Sequence, residues 1–408
     1  MGTSRGLLTR TLQFSSLMLF LHATTSFAAD DALVTALKNG QASLDMRLRY
    51  EQVDADVTNP PANQDEAEGL TVRTRLGYRS AALHGFTVFG EFEDTHVVLG
   101  VDDYTPETAG YATIADPRVT ELNQSWIRYS GSESLQGLAA TYGRQRIILD
   151  NARFVGNVGW RQDEQTFDAT RLDYEREAFA LMAAYINKVN GITPGFDAFA
   201  DTILVNARWK QAPGGVLTAY GYFIEPEYTG DYDSTDTAGL RYQGSIATDL
   251  AKLLLTLEYA EQRRDPAAGG SRNDVDYRFA ELGAVVSGVT VKVAQEVLGS
   301  DDGVYGFQTA LATKHAFNGW ADQFLVTPVT GLEDTFVTVS GSLGGVALMA
   351  RYHDFAANEG SADYGDEVDV SASRKFGAYT LGLKYADYDA ETVSIDTQKF
   401  WLWGELKF

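Results

Sequence analysis

The chain has no cysteine. That absence excludes disulfide staples, zinc–thiolate centres and thiol nucleophiles, so an exported protein of this sequence must draw its stability from elsewhere. Long apolar runs are missing too. The longest reaches only from Leu12 to Leu21, short of the roughly 20 residues that a membrane-spanning helix needs. Cationic charge is scarce: 33 Lys and Arg stand against 56 Asp and Glu, and the formal net charge of −23 argues against general nucleic-acid binding. Histidine is rare, with five in 408 residues. No Pro/Gly/Ser-rich linker, low-complexity stretch or fixed-period repeat divides the chain.

What is present begins with a targeting pattern. Arg5 and Arg10 precede the apolar run, and Ser26-Phe27-Ala28 supplies small residues at the two positions a signal peptidase reads. Residues 1–28 are expected to be a secretory signal peptide cleaved between Ala28 and Ala29, which takes the formal charge from −23 to −25. The other terminus alternates. Phe400, Leu402, Gly404, Leu406 and Phe408 share one parity, while Trp401, Trp403, Glu405 and Lys407 share the other. Terminal residues of soluble proteins usually fray. Outer-membrane barrels instead pair the last strand with the first and so remove the sheet edge. An ordinary buried last strand is the plainer reading of the same pattern. The terminal aromatic also resembles the signal read by the barrel-assembly machinery, an expected partner.

Alternation with period two recurs at 44–51, 72–79, 203–210, 289–296, 346–353 and 379–386. A soluble sandwich would alternate likewise, but here Arg and Lys stand in mid-strand on the polar face, as a water-filled lumen requires. Tyr and Phe, at 21 each, suit aromatic girdles at the two membrane interfaces. Connections alternate in length. Short ones fall at 80–85, 130–137, 176–178, 211–215, 245–249, 287–288, 341–345 and 377–378. Long ones fall at 54–69, 101–119, 150–162, 190–200, 225–235, 263–274, 298–331, 356–365 and 390–397. A direct pass finds one strand-like segment too many. Two periplasmic termini require an even number, which assigns 307–312 to an outer loop and leaves about 18 strands. The fold expected is all-β: a transmembrane antiparallel β-barrel over 43–408, with short periplasmic turns and long extracellular loops, after a short periplasmic segment at 29–42. A barrel of that size leaves an aqueous channel.

Parity assigns to the lumen Arg47, Arg49, Arg73, Arg75, Arg79, Arg144, Arg146, Arg171, Arg208, Arg241, Lys252, Lys292, Arg351 and Lys384. Facing lipid, each would cost roughly 2–4 kcal/mol near the midplane. Acids share the lumen face, among them Asp45, Glu51, Glu91, Glu93, Asp173, Glu258 and Glu296. A row of guanidinium groups offers a moving anion, such as a uronate saccharide, a series of exchangeable sites. The alternative is that Arg and acid cross-brace the wall. One strand, 276–286, breaks the parity: Arg278 and Glu281 oppose each other, through a bulge or an interface position. Two long connections are unlike solvated loops. One carries Arg153, Trp160 and Arg161, the other Lys314 and Trp320, each among aromatics, Gly and Asn. Such composition suits loops folded against the rim or into the lumen, where they narrow the channel and stack on sugar rings; simple packing of the rim is the other reading.

An outer-membrane hydrolase would need a His near Ser or Asp at the barrel's outer face or rim. His22 falls in the signal peptide and His84 in a short turn, which leaves His96, His315 and His353; His353 and Asp354 are adjacent on a strand and point to opposite faces. No enzyme activity and no cofactor are expected. Asp231-Tyr232-Asp233 and Asp363-Tyr364-Gly365-Asp366 offer oxygen ligands for Ca²⁺ but lack a complete set. Acidic outer loops could instead bridge to lipopolysaccharide through divalent ions. An energised receptor-transporter needs a plug domain, for which 29–42 is too short. The alternative function is a general, structural or adhesive outer-membrane barrel with no dedicated substrate.

Arg73-Thr74-Arg75-Leu76-Gly77-Tyr78, Glu91-Phe92-Glu93-Asp94, Gly143-Arg144-Gln145-Arg146, Asn157-Val158-Gly159-Trp160-Arg161-Gln162 and Phe317-Asn318-Gly319-Trp320-Ala321-Asp322 together resemble the alginate-export family across essentially the whole mature chain. The resemblance implies an arginine-rich porin for a polyuronate. It matches Arg47, Arg73, Arg75, Arg144 and Arg146 to the family's pore wall. The chain is shorter than the export proteins, which favours short oligosaccharides over a long polymer.

Overall fold

The computed structural model describes residues 28–56, 66–225, 234–266 and 270–408. Residues 1–27 of the expected signal peptide and the Asp231-Tyr232-Asp233 triplet lie outside the described residues. Eighteen strands form one closed antiparallel sheet. In chain order they are β1 (Gln41–Ala55), β2 (Glu66–Arg79), β3 (Phe86–Asp103), β4 (Val119–Ser130), β5 (Leu138–Gln145), β6 (Thr166–Glu175), β7 (Phe179–Asn190), β8 (Ala198–Ala212) and β9 (Gly215–Ile224). They continue through β10 (Ser234–Ala247), β11 (Lys252–Asp265), β12 (Asn273–Val286) and β13 (Val289–Leu298). After a small β14–β15 ladder (Ser300–Asp301 and Tyr305–Gly306) come β16 (Leu332–Leu343), β17 (Val346–Ala356), β18 (Asp363–Phe376), β19 (Tyr379–Ala390) and β20 (Thr397–Lys407). The segment 307–312 is indeed loop. The barrel starts at Gln41, two residues before the expected boundary, and α1 (Ala28–Lys38) precedes it where only a short segment was expected.

Closure comes from β1 against β20, with Asp45 opposite Lys407 and Ala55 opposite Thr397. Leu44 N–H donates to the Phe408 carbonyl at 2.8 Å, and Phe408 N–H returns the bond at 3.0 Å. The terminal residue is thus held in the ladder rather than frayed, and no sheet edge is left to aggregate.

Each strand sorts its side chains by parity. On β1, Leu48 is exposed on the outer face while Arg47, Arg49 and Glu51 are buried within. Leu76, Phe92, Leu240 and Leu282 continue an outward apolar belt, a surface that only lipid or a partner would cover. On β12 the register runs without a break. Arg278 faces outward and pairs with Asp276 at 2.9 Å, whereas Glu281 faces the lumen. The parity conflict is therefore an outward arginine held by its neighbour, with no bulge.

Two outer connections fold into the barrel. Residues 146–165, between β5 and β6, meet residues 299–331, between β13 and β16, at a parallel bridge from Val155 to Leu311. Gly156 N–H donates to Leu311 O at 2.9 Å, and Thr313 N–H to Ala152 O at 3.0 Å. A Cβ on Gly156 would meet Thr313 Oγ1 at 2.2 Å, so glycine is what permits this approach. Phe154 stacks among Tyr220, Tyr222, Tyr277 and Phe307 at centroid distances of 5.1–6.2 Å. Burying those rings gives one side of the lumen a packed core, which offsets the entropy of ordering two long loops.

Candidate functional site: a loop-narrowed lumen

The early strands supply arginines that hold the first inward loop. Arg47 donates to Gln162 Oε1 at 2.9 Å, to Gly159 O at 3.2 Å and to Arg161 O. Arg49 donates to Trp160 O and pairs with Asp116. Arg75 pairs with Glu93 and lies 3.6 Å from Glu164. Arg73 is bound to Asp45 at 2.5 Å. Arg146 stands just past the end of β5, on the loop rather than the strand, and joins Glu91 at 2.7 Å and Glu164. Burial alone would raise the carboxyls of Asp116 and Glu164, but the guanidinium groups outweigh it. Arg49 and Arg161 hold Asp116 low, and Arg75 with Arg146 brings Glu164 down to about 2.

Arg144 departs from the expected lumen position. It stands opposite Ser125 and Asp168, in the alternation that puts Tyr142, 66% exposed, on the outer face and Gln145 within. Its guanidinium binds Asp168 at 2.8 Å and the Leu122 carbonyl at 3.0 Å, near the outer end of β5. A paired arginine at that level costs little, because the lipid penalty falls toward the interface.

Farther round the wall, Arg171 binds Asp173 at 2.6 Å, Arg241 binds Glu258, and Lys292 binds Glu281 at 3.0 Å. The cations of the first inward loop are also engaged. Arg153 holds Glu296 at 2.7 Å and Asn318 at 2.8 Å. Arg161 reaches both oxygens of Glu51 at 2.9–3.0 Å and Asp322 at 3.1 Å.

Arg208, Lys314, Arg351 and Lys384 make no ion pair among the described residues. Arg208 is exposed on β8 and Lys314 is half-buried on the second loop. Arg351 donates to Thr338 Oγ1 at 2.8 Å and lies over the Phe336 ring. Lys384 Nζ sits 3.6 Å from the Trp320 ring and 4.2 Å from Trp160. It also donates to His315 Nε2 at 2.8 Å. Lysine has only donors, so His315 must accept at Nε2 and carry its proton at Nδ1, which donates to Asp322 at 2.7 Å. Burial pushes the His315 imidazole down to about 3, consistent with a neutral ring. Trp160 stacks flat on His315 at 5.1 Å.

An open cavity of about 490 Å³ is lined by Trp160, His315, Trp320, Arg351 and Lys384, together with Asn157 and Gly159. Two loops and two strands, β17 and β19, meet there. The arrangement offers fixed cations beside indole faces, with room for a sugar-sized solute. Asp116, Glu164 and Lys399, which binds Asp322 at 2.9 Å, were not singled out from the sequence. The acids following Trp160-Arg161-Gln162 were the one local signal. The remaining His of interest, His353, is fully buried and bound to Asp334 at 2.8 Å, away from Asp354 on the opposite face.

Comparison with known structures agrees with the barrel. The outer-membrane porin OccK9 (OpdG) of Pseudomonas aeruginosa superposes with a TM-score of 0.69 at 16% identity, covering 91% of this chain and 100% of that one. Acinetobacter baumannii OccAB4 gives 0.68 at 13% identity, covering 90% and 98%. Pseudomonas aeruginosa OpdK, whose structure holds vanillate, gives 0.66 at 15% identity, covering 91% and 99%. No curated protein matches the sequence. A family model described as alginate export matches residues 40–284, more than half of the chain. With its closed 18-stranded barrel, this outer-membrane channel protein belongs to the alginate export family.

Proposed function

We propose that the chain is a passive channel that conducts anionic solutes, uronate saccharides among them, past the constriction built by its two inward loops. The observation that carries this reading is the cavity at which Arg351 and Lys384 stand without an ion pair among the described residues, flanked by Trp160 and Trp320. A ring-bearing anion would find charge-assisted hydrogen bonds there and an aromatic face to lie against. The paired arginines of the early strands then serve another purpose, fastening the first loop and so setting the width of the path. With this reading go a cleaved signal peptide at 1–28 and recognition of Phe408 by the barrel-assembly machinery.

Those same ion pairs favour a second reading, a general barrel whose arginines only brace the wall. Block of single-channel current by an oligo-uronate separates the two. The first reading expects saturable block in the parent protein, weakened roughly tenfold by Arg351→Ala, since a charged hydrogen bond contributes about 1.5–3 kcal/mol. Equal block in parent and variant would leave the second reading standing.

A further inference from the structure

The helix α1 lies outside the channel, and its surroundings point to a ligand of its own. Tyr78 is an outward residue of β2, two positions from the lipid-facing Leu76, and its hydroxyl donates to the Leu37 carbonyl. Ala81 N–H, in the short β2–β3 turn, donates to Ala36 O at 3.0 Å. The helix is therefore fixed beside the outer wall at the short-turn end. One residue per turn faces that wall: Ala36 is buried and Ala32 half-buried. A second flank is apolar and bare, with Leu33 50%, Val34 45% and Leu37 44% exposed. At 100° per residue, Leu33 and Leu37 lie next to the wall contact and Val34 beyond them, while Asp31, Thr35 and Lys38 occupy the remaining face. The bare flank continues the apolar belt of Leu76, Tyr78, Phe86 and Val88, all exposed on the barrel's outside.

We propose that α1 is an interfacial anchor, with Leu33, Val34 and Leu37 seated at the headgroup–acyl boundary of the phospholipid leaflet on the short-turn side. An amphipathic helix of this kind lies in the plane of the interface, its apolar flank among acyl chains and its polar flank in water. Continuity with the membrane-facing belt selects lipid over a protein partner. Tyr78 couples the two, as a phenol that keeps its ring among lipids and gives its hydroxyl to the helix.

The absence of native cysteine makes the test direct. Leu33→Cys, Thr35→Cys and, as a lipid reference, Leu76→Cys each receive a nitroxide label, and the full chain is folded into vesicles of phosphatidylethanolamine and phosphatidylglycerol. Collision rates with oxygen, which concentrates in acyl chains, are compared with those of a water-soluble nickel chelate. The expected result is an oxygen-to-nickel ratio at position 33 matching that at 76 and several-fold above that at 35. A nickel-dominated label at 33 would overturn the proposal, as would one shielded from both reagents by protein. Heat-modifiable electrophoretic mobility verifies that each labelled barrel is folded, and Val34→Cys, with the same expectation as position 33, replaces any variant that is not.

Discussion

A single guanidinium here does one of two jobs, and its nearest carboxylate decides which. Arg161 is buried and divides its donors between Glu51 and Asp322; Arg351 has a hydroxyl and a ring for company. Removing one partner of a buried pair strands the other charge, at a cost of about 3–5 kcal/mol. Arg161→Ala is accordingly expected to lower the thermal unfolding midpoint and to add open-state current noise as the loop loosens, whereas Arg351→Ala should leave the midpoint nearly unchanged. Equal midpoint losses would contradict that division of labour. Asp163 gives a pH-dependent counterpart. Burial, with Glu93 and Glu121 nearby, pushes its carboxyl up from 3.8 to about 9. A raised folded-state value means that its contribution is complete below about pH 4 and is lost as pH rises through about 9. Asp163→Asn retains a neutral side chain at all pH values. It should flatten the fall of the unfolding midpoint between those limits, and an unaltered slope would refute the assignment.

At the scale of strands and loops, what could be read from the sequence was what repeats locally. Period-two alternation located the barrel strands, and the rule that both termini share one side removed the extra segment at 307–312. It misplaced Arg144, because alternation ties that residue to Tyr142 on the outer face and the stretch 143–146 straddles the end of a strand. The two inward loops stood out by composition alone. Their fastenings did not, since the partners are remote in sequence: Arg49 and Asp116 are 67 residues apart, Arg161 and Asp322 are 161 apart. The helix at 28–38 was missed for a different reason, being one short amphipathic stretch whose support comes from Tyr78 and Ala81. The loop core can be tested at its centre. Phe154→Ala empties the space among four rings, at about 3–5 kcal/mol, and is expected to raise single-channel conductance as residues 146–165 leave the lumen. A conductance equal to the parent's would mean that the loop does not set the path.

For the whole molecule, a chain of net charge −23 still places Arg208, Lys314, Arg351 and Lys384, which make no ion pair among the described residues, on the barrel wall and its second inward loop. Closure of the sheet keeps that arrangement in the membrane. Deleting Phe408 removes its reciprocal bonds with Leu44, and slower appearance of the heat-modifiable folded form is the expected result, measured by electrophoresis after unheated loading. The loop-narrowed lumen is expected to prefer anions. Its most direct test is the reversal potential of the purified protein in a planar bilayer under a KCl gradient. The expected potential has the sign set by chloride and moves toward zero in Arg351→Ala. A potential of the sign set by potassium would contradict it.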